Sequence, residues 1–418
     1  MTGTDAAAPA RDEPCGASEA HAHLSTQHFV SICIEPRPVI QILTWGRPEP
    51  HRGDTPRLHP SRHPHQQSVI VIVENQDMPE QSNLTRRHWM MTAGALLVAG
   101  PAMSAAAVAA QPAGREVSQA SFGPLKQIVT SDLNVAYVEA GPPTGQPVLL
   151  LHGWPYDIHS YVDVAPVLAA AGYRVLIPYL RGYGATRFLS DATPRNGQQA
   201  ALANDALEFL NALKIKTALV AGYDWGARTA CILAALWPER CRGLVSVSGY
   251  LIGSQAANAM PLPPSAELQW WYQFYFATER GHEGYARYTK DFARLIWQLA
   301  SPKWQFSDDT FARSAQAFEN PDHVAISIHN YRWRLKLAQG EARFDETERK
   351  LAAFPTIAVP TITMEGDANG APHPEPATYA KKFTGRYEHR LISGGIGHNL
   401  PQEAPQAFAQ AVIDVDGF

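Results

Sequence analysis

The stretch that most constrains the fold is Ala221-Gly222-Tyr223-Asp224-Trp225-Gly226-Ala227-Arg228. An apolar run over residues 217–221 enters it, and a helical segment over residues 227–237 leaves it. Strand, sharp turn and helix in that order give Gly222-x-Asp224-x-Gly226 the layout of a nucleophile elbow. Glycines flank the central residue because strand and helix can close on one another only over nearly bare backbone. The usual elbow presents a serine, and this one presents a carboxylate. A carboxylate needs no base to activate it; it suits attack at a saturated carbon and leaves an ester to be hydrolysed. On these residues alone Asp224 also reads as an ordinary N-cap, so the rest of the chain has to decide.

The chain has 418 residues, 45% of them hydrophobic and 18% charged, with a formal net charge of −4. That is enough for one large core, or a core with an inserted domain. The slight acidity, with no basic and aromatic stripe, argues against a nucleic-acid partner. Cys15, Cys33, Cys231 and Cys241 make neither a metal pattern nor a dense disulfide frame. Cys231 and Cys241 are expected as buried free thiols.

Residues 1–77 are rich in Pro, His, Arg and Gln and keep no period, apart from a strand-like run at 68–73. Disorder, or a start annotated too early with Met78 as the true first residue, is expected. Thr85-Arg86-Arg87-His88-Trp89-Met90 then sets a twin arginine before an alanine-rich apolar run over 90–110. Residues 78–110 have the form of a twin-arginine (Tat) signal peptide, so export to the periplasm with cleavage near Ala110 is expected. An uncleaved single-span anchor is the competing reading; Pro101 and alanine in place of leucine favour cleavage. No stable membrane association is expected once the segment is removed.

From residue 117 the pattern becomes regular. Residues 125–129 and 135–139 read as strands around Ser131-Asp132, and 148–151 as a strand buried on both faces. This third strand ends in His152-Gly153-Trp154-Pro155. A helix over 161–170, a strand over 174–178, a helix over 198–213 and the strand into Asp224 continue the alternation, with a further strand over 243–248. Strands separated by helices mean βαβ units and a parallel sheet. Residues 251–350 interrupt the alternation with helical, aromatic-rich sequence that includes Trp270, Trp271, Tyr272, Trp297, Trp304 and Trp333. Such an insertion reads as a helical cap over a site, although most of its aromatics serve its own core. Strands over 358–364 and 388–392 resume the sheet. Gly394-Gly395-Ile396-Gly397-His398-Asn399-Leu400-Pro401 then presents one histidine before a last helix over 403–413.

From about Val117 onward the chain resembles the α/β-hydrolases of the epoxide hydrolase and haloalkane dehalogenase group, and it lies closer to the epoxide hydrolases. The His-Gly-x-Pro loop, the Asp-Trp-Gly elbow and two cap segments carry the likeness. Those segments are Trp271-Tyr272-Gln273-Phe274-Tyr275-Phe276 and Asn330-Tyr331-Arg332-Trp333. The resemblance implies an α/β-hydrolase fold: a mostly parallel, doubly wound sheet with core residues 117–250 and 351–418 around a helical cap at 251–350. It implies Asp224 as nucleophile, His398 as base, and the backbone N–H groups of Trp154 and Trp225 as an oxyanion hole. Tyr272 and Tyr331 would polarise and protonate an epoxide oxygen as the ring opens to a vicinal diol.

The orienting acid departs from the family pattern. The usual slot, three residues beyond the glycine that closes the seventh strand, holds Asn369, and Asp367 stands two residues early. The expectation is that Asp367 holds His398, with Asn369 as the alternative. An amide would orient the ring without stabilising the imidazolium. No metal or organic cofactor is implied, and a small apolar substrate is expected. The runner-up activity is haloalkane dehalogenation by the same Asp224 and His398, with Trp225 and a cap tryptophan holding the halide. A third reading, motivated by Asn369, is a ligand binder on an impaired hydrolase fold.

Overall fold

The computed structural model describes Ser31–Ile32, Ile40–Ile42, Val71–Ile72 and residues 121–418. The first three segments, β1, β2 and β3, form a small antiparallel sheet with β2 in the middle. The strand expected at 68–73 contains β3. The expected Tat segment at 78–110 lies outside the described residues.

Within residues 121–418 one larger sheet is built from β4 (Lys126–Val129), β5 (Leu133–Ala140), β6 (Pro147–Leu151), β7 (Arg174–Pro178), β8 (Arg187–Phe188), β9 (Ala218–Gly222), β10 (Cys241–Val247), β11 (Thr361–Gly366) and β12 (Tyr387–Ile392). The order is β12-β11-β10-β9-β6-β7-β5-β4, with β8 beside β5. β5 runs antiparallel to its neighbours, and every pairing from β7 across to β12 is parallel. β6 and β9 are buried along almost their whole length, which is why they read as continuous apolar runs and not as alternating ones.

Helices α1 (Val164–Ala170), α2 (Gln199–Ala212) and α3 (Trp225–Leu236) connect the strands. Between β10 and β11 lie α4 (Gln255–Asn258), α5 (Pro264–Gln269), α6 (Trp271–Phe276), α7 (Glu279–Arg287), α8 (Thr289–Ala300), α9 (Asp308–Ala315), α10 (His323–Arg334) and α11 (Asp345–Ala352). The chain closes with α12 (Pro376–Tyr379), α13 (Leu400–Glu403) and α14 (Pro405–Asp416). α1 packs with α14 and α2 packs with α3, each pair against the sheet, so both faces are covered.

Local chemistry explains the helix boundaries. The Thr278 and Ser307 side chains accept the free N–H groups of Gly281 and Thr310 in the first turns of α7 and α9, and Asp308 and Asp309 sit favourably in the first turn of α9. In α8, Phe292, Ala293, Ile296, Trp297 and Ala300 recur at helical spacing and are buried, leaving the opposite face to solvent. Two helices expected as continuous are broken. Residues 158–161 form a short 3-10 turn capped by Asp157, ahead of α1. The last helix breaks at Ala404, whose ψ of 61° reflects the exclusion of helical backbone before Pro405. Cys231 and Cys241 are buried free thiols, as expected.

The chain runs from β6 to β7 on one side of β6, then returns to β9 on the other side. That reversal opens a crevice beyond the carboxyl ends of β6 and β9. The loop carrying Trp154 follows β6, and Asp224 follows β9. At Asp224 the backbone takes φ 52° and ψ −121°, a region that an L side chain rarely adopts. The turn is possible because α3 approaches β6 over bare glycine. A Cβ on Gly226 would lie 1.8 Å from the Leu151 carbonyl oxygen, and one on Gly222 would lie 2.5 Å from the Gly226 carbonyl carbon.

Backbone cannot retreat from such contacts without parting helix from sheet. Gly226→Ala is therefore expected to lose about 3 kcal/mol or more of folding free energy, or to yield no folded protein. Gly253→Ala, with nothing within 4 Å of the added carbon, serves as control. Urea unfolding of both variants checks the difference; equal midpoints would contradict it.

Candidate active site

Asp224 stands at the tip of the elbow, partly open to a pocket that includes Trp154, Trp270, Tyr272 and His398 in its lining. The pocket encloses about 470 Å³ including its mouth. The two carboxylate oxygens have different surroundings. Oδ1 accepts the Trp154 backbone N–H at 2.7 Å, and Oδ2 lies 3.7 Å from His398 Nε2. Burial would raise the acid's pKa, but interaction with His398 and the N–H groups of Trp154 and Trp225 outweighs it, so the carboxyl sits below its ordinary value. Asp224 is thus ionised at neutral pH. The two N–H groups expected as an oxyanion hole converge on its carboxylate.

The cap brings both expected tyrosines above this carboxylate. Tyr272 is on α6 and Tyr331 on α10; both are buried, with ring centroids 5.3 Å apart and ring planes at 89°. Each feels the charge of Asp224. Burial raises both phenols above their ordinary value, so they remain protonated and available as donors.

A buried relay that the sequence did not reveal ties the cap to the Trp154 loop. The Trp154 indole N–H donates to the Tyr285 hydroxyl at 3.0 Å, and that hydroxyl is 2.8 Å from His323 Nε2. His323 Nδ1 lies 3.0 Å from the Gly182 carbonyl, which can only accept. The protons therefore run one way: Trp154 to Tyr285, Tyr285 to His323, and His323 to Gly182. His152, on the other side of the loop, accepts the Leu180 N–H at Nε2 and reaches its Gly153 carbonyl acceptor through Nδ1. Cap helix α8 adds a third tie, from the Trp297 indole N–H to the Pro155 carbonyl at 2.7 Å.

His398 is held by its backbone. Its N–H donates to Ser301 Oγ at 2.9 Å, and Ser301 donates to the buried Glu403 carboxylate at 2.7 Å. Glu403 also accepts the N–H groups of Gly397 and Asn399, on either side of the histidine. Neither Ser301 nor Glu403 was visible as a site residue in sequence, since each reads there as part of a helix end.

The expectation for the orienting acid is corrected. Asp367 follows directly on Gly366 and is exposed; its carboxylate accepts the N–H groups of Gly394, Gly395 and Ile396, which hold its pKa down. Asn369, the alternative, donates to Glu365 Oε1 at 2.7 Å and Ser248 Oγ at 3.3 Å, while its Oδ1 accepts the Ala371 N–H. Neither side chain hydrogen-bonds His398, whose Nδ1 is buried without a partner.

A family model for the α/β hydrolase fold matches residues 146–326. The crystal structure of a candidate epoxide hydrolase from Klebsiella pneumoniae subsp. pneumoniae MGH 78578 is 64% identical, with a TM-score of 0.70 over 70% of this chain and 97% of that one. Epoxide hydrolase B of Mycobacterium tuberculosis (strain H37Rv) is 34% identical over 149 residues, which are 33% of this chain and 41% of that protein. A haloalkane dehalogenase of Mycobacterium marinum is 33% identical over 124 residues, 29% of this chain and 40% of that protein. The matched stretch thus spans less than half the length of either curated relative.

The relay around Trp154 makes a pH-dependent contribution to stability. Burial pushes His152 and His323 down from 6.5 to about 4. Between those values the unfolded chain binds protons that the folded one does not, so stability is full above about pH 7 and falls as pH drops toward 4. At pH 5 the loss is roughly 2 kcal/mol for each histidine. Urea midpoints at pH 7.5 and 5 are expected to differ accordingly, and His323→Gln to flatten the slope by about one proton. An unchanged slope would contradict the assignment.

Proposed function

We propose, from the premise that the chain belongs to the α/β-hydrolase family in its group of epoxide hydrolases and haloalkane dehalogenases, that it hydrolyses epoxides to vicinal diols through an ester on Asp224. The observation that carries this reading is the unequal setting of the two Asp224 oxygens beneath two protonated phenols. Oδ2, the oxygen that faces His398, attacks a ring carbon. The carbon–oxygen bond breaks, and the ring oxygen takes a proton from Tyr272 or Tyr331. Oδ1 becomes the ester carbonyl oxygen and stays against the Trp154 N–H, with the Trp225 N–H directed at the same group, where the charge of the tetrahedral intermediate develops.

His398 then takes a proton from water, and the resulting hydroxide adds to the ester carbon. Collapse expels the diol, which recovers a proton from the imidazolium; Asp224 emerges as the acid, and its proton restores the phenol. With no partner on His398 Nδ1, the imidazolium forms without a counter-charge. Ester hydrolysis is therefore the slow step, and the ester accumulates.

One observation favours the dehalogenase reading as the second choice. The Trp225 indole N–H is buried with no well-aligned hydrogen bond, the kind of donor that would hold a halide, although the Tyr331 hydroxyl is within its reach. The neighbouring Trp154 indole, 6.4 Å away centroid to centroid, is already committed to Tyr285, which leaves that reading one donor short.

A single turnover of styrene oxide in ¹⁸O-water tests both. The expected result is label in the Asp224 side chain, unlabelled diol in the first turnover, and an aspartyl ester detectable by mass spectrometry before diol appears. Label that enters the diol directly would overturn the covalent route. Halide release from bromoalkanes with no diol from any epoxide would reverse the ranking.

A further inference from the structure

Two arginines beside the pocket make no ion pair among the described residues, and the one carboxylate in the pocket that acts on Arg228 is Asp224 itself. Arg228 lies one helical turn beyond Asp224 on α3, where its backbone N–H donates to the Asp224 carbonyl at 3.0 Å. Its Nε donates to the Leu251 carbonyl at 2.9 Å. Arg334 closes α10, three residues beyond Tyr331. Its guanidinium carbon sits 4.7 Å over the Trp270 ring and 5.5 Å over the Tyr331 ring, and Trp270 lines the pocket. Among the described residues neither guanidinium has a carboxylate within ion-pair distance. Three other buried or partly buried arginines do: Arg174 meets Glu139, Arg181 meets Asp205, and Arg195 meets Asp322.

The two cations also act on one another. Arg228 is pushed down to about 10, by burial first and by Arg334 next, yet it remains charged at neutral pH. Both bear on Tyr272, and Arg334 bears on Tyr331. The acid that feels Arg228 from outside the pocket is Glu348. Its oxygens are already taken by the side chains of Gln198 and Gln199 and by the Ala200 N–H. Holding two like charges together in partly desolvated surroundings is costly, and an anion placed between them would relieve it. Guanidinium groups favour planar, bidentate partners, which a carboxylate supplies.

We propose that Arg228 and Arg334 form a carboxylate-binding subsite, and that the substrate is an epoxide carrying a carboxylate, a short epoxy acid. This refines the apolar substrate expected from the cap's composition: the aromatic walls hold the hydrocarbon and the arginine pair holds the acid end. The inference rests on the epoxide-opening reading for the reaction but not for the binding.

The test separates the two. Binding of propanoate and of propanamide is measured by calorimetry on the full chain, for the wild type and for Arg334→Gln and Arg334→Lys. Turnover is measured on oxirane-2-carboxylate and on its amide. The wild type is expected to bind propanoate at least about tenfold more tightly than propanamide, the ratio for one charge-assisted pair. Arg334→Gln should abolish that preference and raise KM for the epoxy acid about tenfold or more with kcat changed less, and Arg334→Lys should restore part of it. Equal binding of acid and amide by the wild type, or a preference untouched in a cooperatively folded Arg334→Gln variant, overturns the subsite. Arg334-dependent propanoate binding with no epoxide opened overturns the reaction and leaves the subsite standing. Turnover of both epoxides without preference for the acid does the reverse.

Discussion

The approach of α3 to β6 across Gly226 is the constraint on which the remaining geometry rests. With the Leu151 carbonyl where it would meet a Cβ at 1.8 Å, the helix can sit only where a hydrogen fits. That position throws Asp224 into its left-handed conformation and places its carboxylate against the loop that follows β6. The Trp154 N–H can then reach Oδ1, and the cap closes over what remains open. A shift of one ångström at the elbow would move the Asp224 carboxylate off its donors, and interactions of this kind decay steeply with such displacements.

The cap is joined to this centre by polar ties as well as by packing. Trp154 illustrates the point: its backbone N–H serves Asp224, its ring packs between Trp225 and the aromatic cap, and its indole N–H enters the Tyr285–His323 relay. Every member of the relay is satisfied only with both histidines neutral, which is the state that burial enforces. A satisfied buried network rigidifies its surroundings, whereas a broken one leaves donors stranded. The orientation of Trp154 is therefore a property of cap and core together, and neither part fixes it alone.

These ties explain which features were legible in sequence. The elbow, the His-Gly-x-Pro loop and the late histidine each combine a residue type with a local backbone demand, so spacing alone announces them. The strands were legible for the same reason, as β6 and β9 are apolar throughout. Tyr285, His323, Ser301 and Glu403 act through partners up to 141 residues away, and no local pattern marks them. The error at Asp367 has a physical source. One residue past the strand its side chain faces the N–H groups of the 394–396 loop, a cradle made by a distant segment. Asn369 is an amide for a reason equally invisible locally. An aspartate there would stand against the Glu365 carboxylate, now 2.7 Å from the amide nitrogen, and two such acids cannot both ionise.

The charges around the cavity give these departures a common direction. No acid hydrogen-bonds Nδ1 of the His398 ring, while Arg228 and Arg334 contribute two positive charges. On the proposed route those charges favour negative charge at each stage: the carboxylate before attack, the oxyanion of the tetrahedral intermediate, and an acid group on the substrate. It also acts on the phenols. Burial holds the protons of Tyr272 and Tyr331 tightly, and the guanidiniums work in the opposite sense on the same groups. A phenol that is protonated at rest but eased toward release is well matched to an alkoxide that forms only as the ring opens, because proton transfer is most effective when the donor's affinity lies between those of the two states. In the proposed reaction the arginine pair thus holds one end of the substrate and tunes the acid acting on the other, without touching the reacting atoms.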